Sequence, residues 1–135
     1  MDNFIPSKTE EEVRMNVENP WIITKIITDF EKSVKILVLS FNDMKSHIFK
    51  HWMKGMVKLI KKGNKQEVEL VDVTDVVNSK NHRAFIQMME PSKDYAIACK
   101  NLFANDELRV GDEIGLYWDT RSNNLKFKII KKGPF

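Results

Sequence analysis

Apolar and polar positions alternate along most of this chain, and the period changes in only a few places. WIITKII, residues 21–27, is short, β-branched and bounded by Thr28-Asp29, so it reads as a strand. VKILVLS, residues 34–40, is almost continuously apolar, the pattern of a strand buried on both faces. Strand-like segments follow at 56–61, 67–73, 84–89, 94–99, 112–119 and 125–131. Lys62-Gly63-Asn64 and Arg121-Ser122-Asn123-Asn124 supply turn residues between neighbours.

The helical period enters once. Phe41, Met44, Ile48 and Trp52 recur at helical spacing, as do Phe49, Met53 and Met56. Ser40-Phe-Asn-Asp43 has capping-box form, with an acid three residues after a capping hydroxyl. An acid there also suits the positive end of a helix dipole. Gly55 supplies a C-terminal stop, so the spacing predicts a helix over 42–53. A short helical turn is expected at 101–105. Short strands at even spacing with one helix indicate a mainly β fold, a barrel or sandwich and not a βαβ fold.

RVGDEIGLYWDT, residues 109–120, holds two of the five glycines. Ile114, Leu116 and Trp118 alternate with Glu113, Gly115 and Tyr117, which gives a strand with one apolar face. Gly111 begins it where a turn needs positive φ. Gly115, inside it, marks a bend, a bulge or the close approach of another segment. Trp21, Trp52 and Trp118 are expected as core anchors. Met44, Met53, Met56, Met88 and Met89 are expected as core filler.

Composition narrows the classes. A length of 135 residues with 42% hydrophobic side chains suits one domain with a core. No apolar run is long enough for a membrane span. MDNFIPSKTEEEV is acidic and has no apolar segment of the kind a secretory leader needs. The single cysteine, Cys99, excludes an internal disulfide; a buried, inert thiol is expected there. Residues 1–20 carry five acids against two basic side chains, a net −3, so with a total of +3 the rest holds +6. The chain is therefore expected to divide at Asn19-Pro20 into an acidic, disordered tail (1–20) and a folded domain (21–135). Seven lysines and no acid lie between Asp43 and Glu67. Such a field favours anionic partners such as nucleic acid, although a solvated lysine face is the plainer reading.

Candidate chemistry is sparse. His47 and His51 stand four apart, as zinc ligands on a helix do, but Ile48 occupies the place of a water-activating glutamate. Beyond His82 there is no third ligand. Asp112 and Glu113 are adjacent, and neighbours on a strand face opposite ways, so a nuclease-like acid pair is disfavoured. Gly111 and Gly115 lack the Gly-Lys-Ser/Thr of a phosphate loop. The expectation is no enzyme, no metal and no cofactor.

ANDELRVGDEIGLYWDTRSNNLKFKII, residues 104–130, resembles the plant B3 DNA-binding domain, and within it a subgroup of small, divergent single-domain members. Asn105 to Asp119 carries that subgroup's N-x-L-x-x-GDEIGLYWD core with one extra residue before Leu108. WIITKIIT is similar to the first strand, with its W-x-x-x-K-x-L-T form. KILVLSFNDMKSHIFKHW is similar to the second strand and first helix, and YAIACKNLF to the Tyr-containing strand before a second short helix. The resemblance spans about 21–131.

It implies a seven-stranded open β-barrel (a pseudobarrel) with two short helices, straddling the major groove of double-stranded DNA with two loop arms, in a nuclear regulator of transcription. Lys25 and Thr28 match the K-x-L-T of the first arm. With Lys32, Ser33 and Lys35 they are its expected DNA-contacting residues. Asp29-Phe30-Glu31 stands where the family has a Ser/Thr-Asp pair in a longer loop. Gln87, Ser92 and Lys93 are the expected contacts of the second arm, within QMMEPSKD. The alternative expectation is a protein-interaction module on the same scaffold with weak or lost DNA binding, the acidic tail serving a protein partner.

Overall fold

The computed structural model describes residues 19–134. The tail expected over 1–20 falls, up to residue 18, outside the described residues. Seven strands form one sheet: β1 (Ile23–Ile26), β2 (Ile36–Leu39), β3 (Gln66–Asp72), β4 (Lys80–Met88), β5 (Tyr95–Ala98), β6 (Glu113–Asp119) and β7 (Asn124–Lys131). Their order in the sheet is β1-β6-β7-β3-β4-β5-β2. All neighbours are antiparallel except β3 and β7, which run parallel. β1 and β2, adjacent in sequence, close opposite ends of the sheet, so the barrel is open between them. This is the seven-stranded open β-barrel that the resemblance implies.

Alternation explains the curl. Ile23, Leu37, Leu39, Val68, Leu70, Ala84, Ile86, Tyr95, Ile97, Ile114, Leu116, Trp118, Leu125 and Phe127 turn inward into one core. Met44, Ile48, Phe49, Trp52 and Ile60 cap it from the helical side. At about 2 kcal/mol for each large apolar side chain buried, this cluster is the main stabilising contribution.

Gly111 does take positive φ (92°) at the turn into β6. Gly115 resolves as a close approach: a Cβ there would meet Ile130 Cδ1 at 2.9 Å and Trp21 Cβ at 3.0 Å. The bulge lies just before it, between Glu113 and Ile114. Trp52 and Trp118 are core residues, with rings 5.6 Å apart. Trp21 is not; it lies half-buried over Gly115, edge-on to Tyr117. Met44 is core, but Met53 is 72% exposed, contrary to its expected role.

The helices depart most from expectation. The helix predicted over 42–53 is two pieces: α2 (Phe41–His47) and a 3-10 turn, Phe49–His51. Tightening aligns residues three apart, and Phe49 and Trp52 pack with rings 5.2 Å apart. Ser40 caps α2 by accepting from the Asp43 amide. Residues 56–61 are not a strand but belong to α3 (Lys54–Lys61), and Gly55 lies inside it instead of ending a helix. Met56, Val57 and Ile60 face inward and Lys54, Lys58 and Lys61 outward, a helical period that also passes for alternation over six residues. The expected turn at 101–105 is a 3-10 segment, Lys100–Asp106. An additional helix, α1 (Asp29–Val34), stands where a loop was expected between β1 and β2. Among the described residues there are thus three α-helices and two 3-10 segments, more than the two short helices implied. No described helix is long and apolar enough to cross a membrane.

Candidate nucleic-acid interface

The two arms leave the sheet at opposite ends of one short ladder. β2 pairs with β5 from Ile36–Ala98 to Leu39–Tyr95. The first arm, 27–35, runs into Ile36. The second, 89–94, runs into Tyr95. Three residue steps separate them, about 10 Å of strand at 3.4 Å per residue, close to the ~12 Å width of a DNA major groove. Leu37, Leu39, Tyr95 and Ile97 point into the core, so Ile36, Val38, Ala96 and Ala98 form the outer face between the arms. Phe85 and Gln87 of β4 continue that face, opposite Ala98 and Ala96. A groove of about 540 Å³ opens beside the first arm, floored by Ile36, Phe85 and Ala98 and edged by Lys35, Arg83 and Lys100.

The first arm is held from within. Thr28 caps α1 and makes a complete capping box with Glu31. Glu31, only 1% exposed, receives the Val38 amide at 2.7 Å and the Thr28 amide at 3.0 Å. Its carboxylate also lies 2.6 Å from Lys25 Nζ. Lys32 Nζ donates to Asp106 Oδ1 (2.9 Å) and to the Leu108 carbonyl (3.2 Å), tying the arm to the connection before β6. At the arm's root, the Ile27 amide donates to the Asp112 carbonyl and the Gly111 amide to the Ile27 carbonyl.

Asp112 is itself buried and receives the Arg109 and Gly133 amides and Lys132 Nζ. Burial pushes its carboxyl up, but the Gly133 amide, Lys132 and the Arg109 amide outweigh that and hold it below the usual carboxylate range. It is a structural anchor, with both carboxylate oxygens engaged within the protein.

The structure therefore commits Lys25, Thr28 and Lys32 to internal bonds. Ser33 and Lys35 are exposed. Lys35 ends α1 in the left-handed conformation, φ 61°. In the second arm the Met89 amide donates to the Asp94 carbonyl and the Lys93 amide to the Met89 carbonyl. Ser92 Oγ accepts from the Asp94 amide (3.2 Å). Lys93 has φ 67° and lies 3.8 Å from Glu90 at the surface. Gln87 Nε2 donates to the Gly63 carbonyl (3.0 Å).

Sequence reasoning missed three contributors. Glu31 had a signal, since Thr28-x-x-Glu31 is itself a capping-box pattern. Arg83 and Lys100 had none, because only the pairing of β4, β5 and β2 brings them beside Lys35. Arg83 forks onto Glu67 at 2.8 and 3.1 Å and stacks over Phe85. The histidine pair also has a definite place. His47 and His51 line a different hollow with Trp21, Tyr117 and Arg121. Burial and the neighbouring Lys50 lower the pKa of His51.

The family model for B3 domain-containing protein At5g26805, C-terminal domain, matches residues 21–130. Among solved structures, an Arabidopsis FUS3-DNA complex aligns with a TM-score of 0.57 at 18% identity, over 83% of this chain and 97% of that one. At that identity the likeness is one of fold. No curated protein matches the chain.

Proposed function

The chain belongs to the B3 domain family, and on that premise we propose that it binds double-stranded DNA through the face between its two arms and regulates transcription in the nucleus. It is a binding module and not an enzyme. The observation that carries this reading is the backbone at two lysines. Among the described residues, five that are not glycine have positive φ: Asn105, Asp106, Asn123, Lys35 and Lys93. Asn and Asp tolerate that conformation; a lysine takes it at a cost of about 1–2 kcal/mol, here to end α1 through the Glu31 carbonyl and to close the second arm onto the Met89 carbonyl. Each arm contains one of these lysines, exposed, where glycine would be the unstrained choice. Strain held at such positions is a mark of function, and the side chain that glycine would forgo is a cation suited to phosphate.

Lys35 and Lys93 take the phosphate-contacting role. Gln87 at the end of β4, Ser92 on the second arm and Ser33 on the first are the polar groups offered to base edges. Lys25, Thr28 and Lys32 serve by shaping the first arm. The apolar outer face of Ile36, Val38, Ala96 and Ala98 lets the duplex approach closely.

A second reading, a protein-interaction module with little DNA affinity, draws support from Glu90 and Asp94 in the second arm, which oppose a phosphate backbone. Selection of bound duplexes from a randomised pool, across a salt series, decides between them. The DNA reading expects an enriched motif and affinity that falls steeply with salt. No binding at low salt would leave the interaction reading standing.

A further inference from the structure

Lys54, Lys58, Lys61 and Lys62 recur at positions i, i+4, i+7 and i+8, so α3 and its C-cap carry them on one outward stripe about 12 Å long, at 1.5 Å per residue. All four are exposed, while Met56, Val57 and Ile60 hold the opposite side against the core. Among the described residues none of the four is paired with an acid. The stripe does not stand apart from the interface. The turn after α3 joins it: Gly63 accepts from Gln87, and Lys65 Nζ lies 5.2 Å from the centre of the Phe85 ring. Phe85 also carries Arg83. Basic groups thus run from Lys35 and Lys100, past Arg83, whose charge is shared with Glu67, and past Lys65 onto α3.

We infer that the α3 stripe is a second, sequence-independent phosphate-binding surface, which extends the footprint on a duplex beyond the arms. This rests on the duplex-binding reading above and adds a division of labour to it. The arms select sequence, and α3 adds affinity that any duplex receives. Charge alone would also suit an anionic membrane or an acidic protein segment. Continuity with the face between the arms favours the duplex.

The test replaces all four lysines at once (Lys54→Gln, Lys58→Gln, Lys61→Gln, Lys62→Gln) in the full chain. Glutamine keeps similar helix propensity, so an unchanged thermal melt verifies folding, and the pair Lys54→Gln, Lys58→Gln serves if the fourfold variant does not fold. Kd is measured against salt for a selected duplex and an unrelated one, each long and short. Each phosphate that no longer meets a cation lowers the log–log salt slope by about 0.9, so the slope should fall by about 3.6 if all four contacts are lost. Affinity should drop tenfold or more for both sequences equally, leaving their ratio unchanged. The variant should also lose the parent's preference for the longer duplex. If the parent binds and the variant matches it in slope and Kd, the α3 inference is overturned and the duplex reading stands. If the parent binds no duplex, both are overturned.

Discussion

The two arms flank the same ladder, yet they are held in different ways. In the first, Thr28, Glu31, Lys25 and Lys32 all bond back to the protein, and Glu31 is almost wholly buried. In the second, Ser92 caps its own loop, Lys93 meets an exposed Glu90, and two backbone bonds close the segment. The first is preorganised by side chains; the second is a surface loop. A preorganised arm loses little freedom on binding, whereas an exposed loop adapts. The difference separates two duties that a list of polar arm residues merges: building an arm and touching a ligand.

Breaking the first arm should have the largest effect. Glu31→Ala removes the acceptor for two amides and the partner of Lys25. Removing one member of a buried pair costs about 3–5 kcal/mol, so urea unfolding should show a loss of that size. No comparable loss is available in the second arm, where Glu90→Ala should leave the unfolding midpoint in place, as an exposed pair contributes about 0–1 kcal/mol.

Asp112→Asn attacks the root of the first arm from the barrel side. It should cost about 2 kcal/mol near neutrality, since amides and an ammonium lose a charged acceptor. The sign with pH follows from its depressed folded pKa. Its contribution is complete above its ordinary value of 3.8 and is lost as pH falls through the lower folded value. The gap between parent and variant should therefore narrow in acid, and a gap that persists there would remove Asp112 as the cause.

Matched hydroxyl deletions sharpen the contrast further. Thr28→Ala removes a helix cap and should cost about 1 kcal/mol. Ser92→Ala should stay within about 0.5 kcal/mol, as an exposed loop change does. Equal losses would erase the distinction between the arms.

The same contrast explains what was legible in the sequence. Period-two alternation in residues 112–119 and 125–131 identifies β6 and β7 because each buries one face. The resemblance adds strand number and arm positions. MVKLIK misleads because six residues satisfy both periods, and the chain before it breaks at Ile48, which no single residue announces. Thr28-x-x-Glu31 was readable as a cap, but an expected loop hid it. The roles of Lys25 and Lys35 were interchangeable on paper. Only the buried Glu31 separates them, and it is buried where it joins the Val38 amide of β2 to Lys25 of β1, two strands at opposite edges of the sheet. The left-handed backbone at Lys35 and Lys93 has no signature in residue type at all.

That backbone gives the most direct test. In the double variant Lys35→Gly, Lys93→Gly, glycine relieves both strained positions and removes both cations. Thermal melting and duplex affinity are measured on the same sample. Stability should hold or rise, while affinity for a selected duplex falls at least tenfold, about 1.4 kcal/mol, with a salt slope shallower by about 2. Retained affinity with an unchanged slope would contradict the account, because the strained lysines would then have no part in holding DNA.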